Sequence, residues 1–191
     1  MENSIVSRWN SDHDNDRLDF LQMTPTTAVN IRFAGTAPSR AARAIFLGGL
    51  AAGILDAIDA LIAYKLVLGF DPVPIYQFVA SGLLGKSAFA GGVATALLGL
   101  LIHFLIAFSA ATAFCLASLK LEFLRKRPVA AGLAFGVLVY AVMNYIVIPL
   151  SAIPASPFSL PLFLNGIVGH ACLVGLPISF LSRRHIVPHV G

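Results

Sequence analysis

Charge is what this sequence has least of. Only 12% of its 191 residues are Asp, Glu, Lys or Arg, whereas an ordinary soluble domain carries about 25%. So few charges cannot cover a water-facing surface, and they cluster outside long apolar stretches, the pattern of a chain whose solvent is lipid. Cysteine is nearly absent too. Cys115 and Cys172 are the only two, and no CxxC or Cys/His spacing points to a structural zinc site. Both read as small buried apolar residues. No HExxH occurs, and no Ser-His-Asp set accompanies an exposed nucleophile, so the chain is read as a non-enzyme. The net charge of +4 comes from basic residues that flank apolar segments. They form no stripe with interleaved aromatics, which argues against a nucleic-acid partner. The acidic run Asp12, Asp14, Asp16 and Asp19 stands where a basic n-region would be, so no cleaved signal peptide is expected.

What is present is apolar length. Residues 1 to about 40 read as a flexible, mostly polar cytoplasmic tail that cannot bury enough surface to offset its ordering entropy. A four-helix transmembrane domain follows over residues 41–191, with apolar segments at about 44–68, 92–119, 129–150 and 162–181. Each reaches the roughly 20 residues that a helix needs to cross a core of about 30 Å. The fold class is therefore an all-α membrane protein, a bundle of four transmembrane helices. Arg32, Arg40 and Arg43 precede the first helix, Lys120, Arg125, Lys126 and Arg127 lie between the second and third, and Arg183 and Arg184 close the fourth. The 151–161 loop carries no charge, so the positive-inside rule places both termini in the cytoplasm. The first external loop, 71–91, holds Pro72, Pro74, Ile75, Phe78 and Leu83. It predicts a short helix at the outer interface or a shallow re-entrant turn. Within it Ala80-Ser-Gly-Leu-Leu-Gly-Lys-Ser matches a loosened phosphate loop. A genuine one follows a buried strand, and none is expected here, so no nucleotide partner is expected.

Glycines recur at helix-packing intervals: Gly49 and Gly53 in the first span, Gly132 and Gly136 in the third, Gly166 and Gly169 in the fourth. Lipid gives helices no hydrophobic reason to associate, so close backbone approach must supply the packing, within the bundle or in a homo-oligomer. Polar side chains inside the spans are the functional candidates, because an ionisable group at mid-bilayer costs at least about 2.5 to 3.5 kcal/mol. They are Asp56 and Asp59, His103, Asn144, and Asn165 and His170. Counted from each helix's basic end, Asp56 and His170 lie about 20 Å deep and the other four about 24 to 27 Å deep. One polar layer in the outer half of the membrane is expected. The plainer reading makes the asparagines interhelical hydrogen-bond glue and His103 a satisfied core histidine.

Several stretches resemble the YagU-like family of bacterial inner-membrane proteins. They are Leu101-Ile102-His103-Phe104, Asn144-Tyr145-Ile146-Val147-Ile148-Pro149-Leu150 with Ser151 to Pro154, and Gly169-His170, within about 150 residues outside the tail. The resemblance implies a small multi-pass protein of the bacterial inner (plasma) membrane, of largely unknown activity and loosely linked to acid tolerance. Asn144 stands where at least one relative is expected to carry histidine.

Three functions compete at this stage. The first is a proton-responsive or ion-conducting protein using the aspartates with His103 and His170, since histidine changes charge nearest physiological pH. The second is a metal- or haem-binding redox subunit that uses the same two histidines. The third is a structural or assembly subunit of a membrane complex. No cofactor is assigned from the residues, and the lipid bilayer is the one partner the composition requires.

Overall fold

Helix α1 begins at Ala37 and runs unbroken to Leu68. In the computed structural model, residues 37–186 are described, so nearly all of the expected tail, with Arg32 and the acidic run, lies outside the described residues. Helix α2 spans Pro72–Leu84, a short 3-10 segment Gly85–Ala90 follows, and α3 spans Gly92–Lys120. A five-residue helix, α4, Glu122–Lys126, leads into the third span. That span is α5, Pro128–Leu150, and the fourth is α6, Leu160–His185. The described residues contain no strand. Four helices are long and apolar enough to cross a membrane, and the chain is a multi-pass, all-α membrane protein.

The outward faces show what solvent these helices were built for. Leu97, Leu101 and Leu105 repeat every four residues along α3 and are each more than 60% exposed. In water such a ridge would be an aggregation hazard, whereas in lipid it is the ordinary surface. Cys172 differs from expectation: it is exposed on this outer surface, while Cys115 is buried. A small apolar side chain has no reason to leave lipid for the interior, so apolar sequence context alone could not decide its burial.

The helices alternate in direction, and contacts tie one end together. Ser179 donates to the Pro128 carbonyl at 2.8 Å, and Arg125 Nη1 donates to the Ser118 carbonyl at 2.9 Å, satisfying an acceptor near the α3 C-terminus. Arg40, Arg43, Lys120, Arg125, Lys126, Arg127, Arg183 and Arg184 thus share one end, called here the basic end. Next to it Ala52, Ala111, Phe114, Ala131, Val174 and Ile178 form the buried core. At the opposite end Lys65 and Asp71 pair at 2.8 Å on the surface. That contact holds the Asp71 carboxyl below the usual carboxylate range, by hydrogen bonding first and charge second.

Helix α2 is the short helix expected in the first loop, and it packs onto α3. The Tyr76 carbonyl comes so close to Gly99 that a side chain there would collide with it. Buried Gln77 donates to the Gly92 carbonyl at 2.9 Å and the Ala152 N–H donates to the Gly82 carbonyl at 3.0 Å, joining α2 to both neighbouring segments. The loosened phosphate-loop sequence therefore forms the end of a helix and a 3-10 turn.

The third and fourth spans are not plain α-helices. α5 opens into a π-helical turn at Met143–Val147, and α6 does so at His170–Gly175. Each turn ends two residues before a proline, Pro149 or Pro177. A proline has no N–H to donate, and its ring crowds the carbonyl four residues earlier, here Tyr145 or Leu173, so the preceding turn widens.

Candidate functional site

Each polar side chain is placed by a backbone feature of its own helix or of its neighbour. Gly53 and Gly49 allow the Phe104 and Phe108 rings to lie against α1. This brings α3 near enough for His103 Nε2 to donate to the Gly53 carbonyl at 2.9 Å. On α6, His170 Nδ1 donates to the carbonyl of Gly166, four residues back, at 2.9 Å. A Cβ on Gly136 would strike the His170 carbonyl, so that glycine fixes how closely His170 approaches α5. Gly166 leaves room for the Tyr140 ring, which stacks edge-on against His170 at 5.4 Å.

These placements bring three of the six candidates together. Asp56 Oδ2 is 4.0 Å from His103 Nδ1, and Asp56 Oδ1 is 3.8 Å from His170 Nδ1. All three side chains are only 15–22% exposed. Asp59 pairs separately, accepting from Asn165 Nδ2 at 2.7 Å. A Cβ on Gly169 would sit 2.7 Å from the Asp59 carboxylate, so this glycine seats the carboxylate against α6. Asn144 turns back to its own helix and donates to the Tyr140 carbonyl at 3.0 Å. It does not glue two helices together, as the plainer reading held. The expected single layer is thus a trio, an adjacent pair and one wall residue.

The hydrogen bonds also decide where protons sit. A carbonyl only accepts, so His103 carries its hydrogen on Nε2 and His170 carries one on Nδ1. Neutral His103 would then present the Nδ1 lone pair to a carboxylate oxygen 4.0 Å away. A second proton on His103 converts that opposition into attraction.

The same geometry is poor for a metal. The His170 nitrogen nearest Asp56 is Nδ1, whose hydrogen is taken by the Gly166 carbonyl, so toward the carboxylate it offers no lone pair, and the His103 lone pair and the carboxylate are the donors that converge there. Among the described residues no three His, Cys, Asp or Glu side chains group as a metal site.

Two cavities meet at the trio. One, of about 530 Å³, runs from the loop residues Ser156 to Ser159 past Asp59, Asn144 and Asn165 to Asp56, His103 and His170. The other, of about 100 Å³, continues toward the basic end between Ala52, Ala107, Val139 and Val174. Apart from the trio itself, its lining is apolar. Sequence reasoning did not pick out Tyr64, Phe78 and Phe163 as walls of the larger cavity. Their only signal was position: Phe78 is in the helix of the first loop, and Tyr64 and Phe163 lie near the far ends of their spans. Compared with known proteins, the chain matches no family model, no curated protein and no solved structure.

Proposed function

We propose that this chain is a proton-responsive ion pathway of the bacterial inner membrane, non-enzymatic, with both termini in the cytoplasm. The observation that carries the reading is Asp56 held between His103 Nδ1 and His170 Nδ1, from three different helices, at the floor of a cavity facing away from the basic end. With the basic end cytoplasmic, as the positive-inside rule favours, the cavity is reached from outside. A proton entering it meets the trio, and the narrow, mostly apolar space beneath hinders hydrated ions until the helices rearrange. The π turns beside Asn144 and His170 are sites where such rearrangement is cheap, because the regular hydrogen-bond ladder is already interrupted there. The acid-tolerance link implied by the family resemblance fits a protein that senses or admits protons.

Liposomes holding the purified protein and a trapped pH dye test this. External acidification is expected to drive protein-dependent proton entry, slowed at least about tenfold by Asp56→Asn, which is the effect of about 1.4 kcal/mol in barrier. Equal rates in protein-free, native and variant liposomes would overturn the proposal.

A further inference from the structure

The larger cavity has more room and more aromatic wall than a proton requires. We infer that it binds a monovalent organic ammonium ion with an apolar or aromatic body, the ammonium seated at Asp59. The inference rests on the reading above for access from outside, and it names a ligand for the same cavity.

Charge supports it first. Two carboxylates, Asp56 and Asp59, line the cavity, and among the described residues no Lys or Arg does. The histidines answer Asp56, whereas the partner of Asp59 is a neutral amide, Asn165 Nδ2 at 2.7 Å. The lysine less than two turns further along α1, Lys65, is engaged by Asp71 at 2.8 Å. Two carboxylates faced by two histidines and a neutral amide leave the cavity short of positive charge even when one histidine is charged. An anion would be repelled there, and a neutral guest would leave the Asp59 charge unanswered in a low-dielectric site.

The walls then select the kind of cation. Phe158, 76% exposed near the cavity mouth, lies 5.6 Å from Phe163. Phe163 lies 6.0 Å from Tyr140, and Tyr140 lies 5.4 Å from His170. A continuous run of rings thus leads from the mouth to the trio, with Tyr64 on the facing helix near Asp59. Aromatic faces attract ammonium groups and accept the apolar body attached to them. A hard inorganic cation instead requires six or more oxygen ligands, or its own water shell, and rings supply neither. The volume of about 530 Å³ falls within the roughly 300 to 1,000 Å³ of small-molecule pockets.

The test is equilibrium dialysis of the full-length protein in lipid nanodiscs against 2-phenylethylammonium, with neutral 2-phenylethanol and potassium ion as comparison ligands. Saturable 1:1 binding of the ammonium is expected, at least about tenfold tighter than the alcohol and weakened about tenfold or more by Asp59→Asn. Potassium is expected not to compete. Equal binding of the alcohol would mean apolar partition and would overturn the inference, as would competition by potassium or full affinity in a folded Asp59→Asn protein. If that variant fails to fold, the native comparison of ammonium with alcohol still decides. Proton entry into ligand-free liposomes reads the Asp56 trio separately, so intact proton entry without ammonium binding refutes the ligand alone.

Discussion

The two halves of the bundle are made from the same four helices and are built differently. Toward the basic end, Phe114, Ile178 and Val174 fill the interior together with alanines, and Gly132 and Gly175 bring α5 and α6 into backbone contact. Beyond the trio the helices diverge around about 530 Å³ of cavity, with α2 and the 151–159 loop completing the wall. Small residues close one half. In the other, aromatic and polar side chains hold the helices apart, and a π turn precedes Pro149. Stability and chemistry are thereby separated along the membrane normal: the packed half holds the helices in register so that the open half can keep ionisable groups poorly packed.

The largest way to break this contrast is to add a single methyl group at the backbone contact between α5 and α6. In Gly175→Ala the new Cβ would strike the Gly132 carbonyl and sit 2.8 Å from the Gly136 N. Backbone cannot swing aside as a side-chain tip does, so a loss of about 3 kcal/mol or more is expected, read as lost thermal unfolding cooperativity in detergent. Retention of native stability would show that α5 and α6 are not locked here.

Side-chain truncation sharpens the comparison at smaller cost. Ile178→Ala, at a fully buried position, is expected to destabilise by about 2 kcal/mol through lost van der Waals contact, since lipid solvates the unfolded helices as well as the core does. Leu162→Ala, in the cavity wall, removes atoms that already face space and should cost under about half as much. Equal losses on chemical denaturation would mean that the two halves are packed alike.

Smaller still is the coupling within the trio. Asp56→Asn and His170→Ala, made singly and together, should deviate from additivity by roughly 0.5 to 3 kcal/mol, because each removes the partner of the other. Strict additivity in the unfolding free energies would separate the two side chains energetically despite their 3.8 Å approach.

The spans were legible because length and apolarity suffice to define a membrane helix, and the far-end contact of α2 was foreshadowed by its apolar loop. Depth counting placed Asp56, His103 and His170 near one level, but helical rise says nothing about which side chain turns toward which. Asn144 shows the limit: its depth matched the layer, yet its amide returns to Tyr140. The π turns were written in Pro149 and Pro177, which lie inside apolar runs that otherwise read as uniform helix. Cavity volume was not legible at all, because it depends on how four helices diverge and not on the pattern of any one of them.

The central claim concerns protons, and ring-nitrogen NMR of ¹⁵N-histidine-labelled protein in lipid reads it directly, with His103 and His170 assigned by single replacement. When neutral, the two rings should be opposite tautomers, with hydrogen on Nε2 of His103, which donates to Gly53, and on Nδ1 of His170, which donates to Gly166. Identical tautomers at both positions would contradict the account.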